Sequence, residues 1–254
     1  MIGTMEASRI YAGLTWTRFR RGKLLWVAAI LMALPVVGAA GLFLGGFWGR
    51  GTFDDLLEVY FRFLIPFVPV LLASNVVAEE IENRTFTFLF ARPAPRSALV
   101  LGKYFTVVVP TLLAVTVSIA LSWALVMARF PEDFANTATH FLRVELAAAL
   151  GVCGYAGLAV LLGSWFTRHP FVGVLGYLLV IELGLASAPI VLNVFAMSWH
   201  LRNLAELPLP SLDSVNMTIS VAPEISAIIP LVWVGLGLGL GSLAVSGAEY
   251  HAKD

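Results

Sequence analysis

Six stretches of this chain run for more than twenty residues with hardly a charge, and that one feature limits what the chain can fold into. An α-helix needs roughly 20 apolar residues to cross the hydrocarbon core of a bilayer. Windows of that kind recur at about 24–47, 56–78, 99–127, 142–166, 171–196 and 224–246. Composition agrees: 59% of the 254 residues are hydrophobic and 13% charged, whereas soluble domains carry about 25% charged residues. The mean hydropathy is +0.88. The expected fold is all-α: a polytopic membrane protein of six transmembrane helices in a single domain, 1–254, with no sizeable soluble part.

Other classes fall away on simple grounds. The formal net charge is zero, so no bulk electrostatic pull toward nucleic acid exists. The first apolar run, Leu24 to Phe47, is longer than the 7–15 residue core of a signal peptide, and it reads as a retained span. Cys153 has no partner thiol for a disulfide or a metal site. The histidines at 140, 169, 200 and 251 are scattered along the chain and make no metal motif.

Charge distribution sets an expected orientation. Of the Lys and Arg residues, eleven fall with the N-terminus, the connection after the second span, the Arg168 turn and the C-terminal tail, and five fall on the other side. By the positive-inside rule, both termini face the cytoplasm of a plasma membrane. The first 23 residues mix Ile10, Leu14, Trp16 and Phe19 with Arg9, Arg18, Arg20 and Arg21. They read either as a helix over 5–22 lying in the interface plane or as a basic tail that only fixes topology. Glycines spaced four apart allow close helix approach, either within one subunit or, for the set at 235–241, across a dimer. Prolines 66, 69, 110, 189 and 230 predict kinks.

The connection after the second span carries the most information: SNVVAEEIENRTFTFLFARPAPRSALVLGKYF, from Ser74 to Phe105. Three carboxylates, Glu79, Glu80 and Glu82, precede a mixed polar and aromatic stretch. Pro93 and Pro95 then stiffen the turn between Arg92 and Arg96, because each restricts the residue before it. Ser97 is placed to cap the next helix. A stiff element bearing both signs of charge suits docking to a soluble partner.

These residues resemble the permease subunits of the ABC-2 exporter group. That group has six spans, an amphipathic N-terminal helix and a loop of the form A-E-E-x-E-x-G-T-x-x-x-L-L-x-R-P-x-x-R ending in G-K. Ala78, Glu79, Glu80, Glu82, Thr85, Leu89, Arg92, Pro93, Arg96, Gly102 and Lys103 stand in the matching places. Arg84 replaces the usual glycine, and Phe86, Phe88 and Phe90 replace smaller aliphatics.

The resemblance implies an ABC-2 (type V exporter-like) architecture with a cytoplasmic coupling loop at 79–98. In it Glu79, Glu80, Glu82, Arg84, Thr85, Arg92, Pro93 and Arg96 would contact a separate ATPase. It further implies two ATPase subunits, a second permease subunit (an identical copy or a paralogue), and an outer re-entrant region at 198–223. No cofactor is expected on this chain, ATP and magnesium belonging to the partner. Gly22-Lys23 and Gly102-Lys103 both lack the remaining residues of a phosphate-binding loop.

Two charges fall inside predicted spans. Glu182 lies near the middle of the fifth, where a carboxylate must face a cavity, pair or be protonated. It reads equally as a pathway residue or as a lock between helices. Arg62 lies about two turns inside the second and can extend its guanidinium to the surface; a Glu182–Arg62 pair is one arrangement to look for. The expected function is a permease of an ATP-driven exporter. The alternatives are a non-transporting anchor that passes force from an ATPase to an envelope partner and, against the absence of any catalytic motif, an intramembrane enzyme.

Overall fold

The computed structural model describes residues 4–46, 52–82, 96–165, 170–187, 191–209 and 221–247. Every regular element among them is helical. Helix α1 (Thr4–Arg21) is followed after one residue by α2 (Lys23–Gly45), the break falling at Gly22, whose backbone is extended. Gly46, at φ 72°, ends α2 in the left-handed conformation that stops helices. One face of α2 buries Ala28, Met32, Pro35 and Ala39. Trp26, Ile30, Leu34 and Val37 form the opposite, exposed stripe at helical spacing. That apolar stripe suits lipid, not water.

The second span is built in three continuous pieces: α3 (Thr52–Val59), a π-helical turn (Tyr60–Leu64) and α4 (Ile65–Glu82). Helix α5 (Arg96–Arg129) and helix α6 (Phe134–Trp165) are long and joined by a short 3₁₀ turn, Pro131–Asp133. Helix α6 is the centre of the bundle. Nearly three-quarters of its span is buried, against about a fifth for α2.

Among the described residues, five segments are long and apolar enough to cross a membrane: Lys23–Gly45, Thr52–Ala73, Ser97–Arg129, Thr137–Trp165 and Pro223–Ala244. The window at 171–196, expected as one more span, departs from a regular helix. It consists of α7 (Pro170–Tyr177), a π-helical turn (Leu178–Gly184), and 3₁₀ turns at Leu185–Ser187 and Val191–Phe195. One face of this stretch, with Leu178, Glu182, Ala186, Asn193 and Ala196, is buried, while Leu179, Val180, Leu192 and Phe195 are exposed. Two more helices follow among the described residues, the short α8 (Met197–Leu204) and the long α9 (Pro223–Gly247).

Contacts fix the directions of the helices. The Tyr104 hydroxyl donates to the Cys153 carbonyl at 3.2 Å, and Trp123 stacks on Phe141 at 4.6 Å, so α5 and α6 are antiparallel. Phe53 meets His140, and Ile65 lies against Gly151, so the second span runs parallel to α6. Gly154 abuts Pro230, Gly157 abuts Trp233 and Val234, and Val160 approaches Gly241; hence α9 also runs parallel to α6. Two parallel spans require the chain between them to return across the bundle.

Helix α1 lies across the beginning of α5. A Cβ on Gly102 would come within 2.8 Å of the Ser8 carbonyl oxygen and 3.0 Å of Tyr11 Cβ. The Thr106 hydroxyl reaches the Ala12 carbonyl at 3.4 Å. Ala7, Ser8 and Tyr11 are buried there, while Ile10, Leu14 and Trp16 stay exposed.

Candidate functional site

Helix α8 begins with a problem that its own sequence cannot solve. The first N–H groups of a helix have no partner within it, and the residue at the cap position, Ala196, has no side-chain acceptor. Glu182 supplies one from a distance in sequence. Its Oε1 accepts from the Met197 backbone N–H at 3.0 Å, and its Oε2 accepts from the Ser198 N–H, also at 3.0 Å. The Tyr177 hydroxyl donates to Oε1 at 3.0 Å. A carboxylate, which only accepts, thus meets three donors and the positive end of a helix dipole.

The place of this cluster follows from its neighbours. Met197 Sδ lies against Gly154, which is eleven residues from Trp165. At a rise of about 1.5 Å per residue that is about 16 Å, half of a hydrocarbon core roughly 30 Å thick. Leu201 packs on Gly151, one turn nearer the start of α6, and Glu206, beyond the end of α8, pairs with Arg143. Helix α8 therefore starts at mid-height and climbs toward the end of the bundle opposite α1. Glu182 is 1% exposed, and Tyr155 of α6 is fully buried.

The other side of α8 is tied to α9. His200 Nε2 donates to the Val194 carbonyl at 2.7 Å, leaving Nδ1 to accept from the Ser226 hydroxyl at 3.2 Å. Asn203 Nδ2 donates to the Val221 carbonyl and to Ser226 Oγ, each at 2.9 Å. Buried polar groups are stable only when partnered in this way.

Arg62 is part of a different group. Its guanidinium lies 3.5 Å from Glu58 and its side chain as a whole is 38% exposed, while Arg202, on α8, approaches the same Glu58 oxygen at 3.6 Å. The Glu182–Arg62 pair considered from the sequence is not formed, because each residue already has nearer partners.

Of the residues assigned to the coupling loop, Glu79, Glu80 and Glu82 lie on the last turns of α4, whose helix extends through Glu82. Arg96 is the first residue of α5. Arg84, Thr85, Arg92 and Pro93 lie outside the described residues. Ser97, expected as the cap of α5, falls inside its first turn. Among the described residues, no group of three or more His, Cys, Asp or Glu side chains is arranged to hold a metal ion.

Sequence reasoning passed over two polar features of the bundle. Tyr60 hydrogen bonds to Ser118 and Ser122, and Ser118 donates to the Met32 carbonyl, joining three spans. The signal was the four-residue spacing of the two serines within an apolar helix. Glu145, inside the α6 span, is averaged away by hydropathy because its neighbours are Val144, Leu146 and three alanines.

Long apolar helices packed around a short helix whose buried start is held by the Glu182 carboxyl group are the build of a multi-pass membrane protein. A family model described as ABC-2 family transporter protein matches residues 16–184. The chain belongs to that family, and it is a transmembrane permease of the ABC transporter class. A search of curated proteins finds no match. The family match ends two residues after Glu182, so α8 and α9 lie beyond it.

Proposed function

We propose that the chain is the membrane-spanning permease subunit of an ATP-driven exporter, in which a separate ATPase moves the spans and cargo leaves the cell. Family membership over residues 16–184 carries this reading. The packing of α1 on α5 supports it. Helix α4 ends, and α5 begins, on either side of the segment at 83–95, and α1 is seated against α5 at Gly102. A displacement of that segment would reach α4, α5 and α1 together.

In this reading the broken segment after α6 supplies a sixth crossing, both termini are cytoplasmic, and α1 lies in the cytoplasmic interface. Ile10 and Leu14 would then face the headgroup boundary. Two copies, or one copy and a paralogue, would engage two ATPase subunits. Magnesium and ATP are bound by those partners.

The experiment is co-purification with a co-expressed ABC ATPase from the same genome, before and after the paired substitution Glu79→Lys and Glu80→Lys. Loss of the complex, or of the permease-dependent part of the ATPase rate, is expected. An unchanged complex with an unchanged rate removes the 79–98 segment as the docking element.

A further inference from the structure

Four cations gather on α1 and at its junction with α2. Arg20 and Arg21 end α1, Lys23 begins α2, and Arg9 stands further back on α1; all four side chains are exposed. Among the described residues, the ion pairs are made by Arg62, Arg143, Arg202 and His140, and none by these four. Helix α1 carries one acidic residue, Glu6, in its first turn and far from the junction.

Charge alone would suit any anion; the surface beside it narrows the choice. Ile10, Leu14, Thr17 and Arg21 follow one another at helical spacing and are all exposed, so an apolar ridge runs into an arginine. The Thr17 hydroxyl turns back to the Gly13 carbonyl at 2.9 Å and leaves the ridge little polar surface. Past Gly22 the exposed surface resumes as Trp26 and Ile30, the start of the lipid-facing stripe of α2. The cations thus stand between two apolar surfaces. The path also bends here. Ala12 and Met32 are twenty residues apart, yet they meet α5 at Thr106 and Ser118, only twelve apart. A helix turned aside where a span begins lies along the headgroup layer.

We infer that this elbow binds anionic phospholipids in preference to zwitterionic ones, with the headgroup among Arg20, Arg21 and Lys23 and the acyl chains along Trp26 and Ile30. Each Lys or Arg beside an anionic membrane surface adds to the attraction, and guanidinium groups hold phosphate in paired hydrogen bonds. The apolar ridges on both sides match the chains of a lipid and offer nothing to a soluble anion. The inference rests on the spans lying in a bilayer, and it requires neither an ATPase nor export.

The test titrates the full chain in detergent micelles with phosphatidylglycerol and phosphatidylcholine of identical acyl chains, with bound lipid counted by native mass spectrometry. Phosphatidylglycerol is expected to bind about tenfold more tightly. In the Arg20→Gln, Arg21→Gln, Lys23→Gln triple variant the preference should fall to about twofold or less. Arg129→Gln, which removes an exposed arginine from the opposite end of the bundle, should leave it unchanged.

A second measurement keeps all four cations. In Cys153→Ala, Thr17→Cys labelled with bimane and placed in nanodiscs, brominated phosphatidylglycerol should quench several-fold more than brominated phosphatidylcholine at the same mole fraction. High salt should shrink the difference, because exposed charges are screened, and millimolar inorganic phosphate should not displace the lipid. Equal binding of the two lipids, or a preference that survives the triple variant, would overturn the assignment. So would displacement by phosphate, the mark of a soluble-anion site, or quenching by neither lipid, the mark of an elbow covered by a second copy.

Discussion

Gly237 meets the backbone of Gly157 with no room for one added carbon: a Cβ built on Gly237 would overlap the Gly157 carbonyl group. The converse also holds, since a Cβ on Gly157 would come within 2.7 Å of the Trp233 carbonyl oxygen. Gly235 and Gly239, on the same helix, face open space. Gly237→Ala and Gly157→Ala should therefore destabilise the protein by roughly 1–3 kcal/mol, the cost of overpacking. Gly235→Ala and Gly239→Ala should be neutral or gain up to about 1 kcal/mol from helix propensity. Thermal unfolding in detergent micelles measures both pairs, and equal losses in the two would show that α9 does not cross α6 at this point.

Glu182→Gln keeps the shape of the side chain but turns one acceptor into an NH₂ group facing a backbone N–H. The expected loss is about 1–3 kcal/mol, that of a buried donor left unsatisfied. Tyr177→Phe, which removes one donor from an otherwise partnered carboxylate, should cost about 1 kcal/mol. The specific readout is α8 itself. With Met197→Cys as reporter, thiol labelling should rise in the Gln variant and stay low in the Phe variant. Unchanged labelling in both would mean that the carboxylate does not hold the helix end.

Gly102→Val should lift α1 from α5, because the new branch meets the Ser8 backbone and not the flexible end of a side chain. Gly13→Ala, where nothing lies within 4 Å, is the matched control. Disulfide cross-linking between cysteines placed at Ala12 and Thr106 reports the contact. It should fall several-fold in the first variant only.

The second span holds two polar links of unequal worth. Tyr60, fully buried and hydrogen bonded to Ser118 and Ser122, should cost about 1 kcal/mol or more as Tyr60→Phe. Glu58, half exposed between Arg62 and Arg202, should cost less than about 1 kcal/mol as Glu58→Gln, since water screens such pairs. Unfolding midpoints of the two variants at low and high salt separate the cases, with only the Glu58 difference shrinking as salt rises.

Which parts of this architecture the sequence revealed follows from the range of the interactions involved. The spans α2, α3–α4, α5, α6 and α9 are local matters of apolar length, and hydropathy finds them. The broken stretch at 171–196 has the same composition, so averaging makes it look like one more helix. Glu182 stood out for its cost in an apolar environment, but its partner at the Met197 N–H is a backbone group fifteen residues away, and no side-chain pattern announces a backbone donor. Gly157 and Gly237 were visible as intramembrane glycines; their pairing needed the parallel course of α6 and α9.

The π-helical turn at Tyr60–Leu64 has a consequence for rotation as well as for shape. A turn of this kind carries one residue more than an α-helical turn, and each residue of a helix advances the azimuth by about 100°. Everything that follows it, Ile65 to the acidic end at Glu79, Glu80 and Glu82, is set by that extra residue. Deleting a single residue within Tyr60–Leu64 would shorten the span by only about 1.5 Å. It would turn the acidic end by more than a quarter of a circle relative to the part of the helix anchored by Phe53 and Leu57. The second span thus works as a clocked shaft, whose phase is fixed at mid-length and delivered at its acidic end.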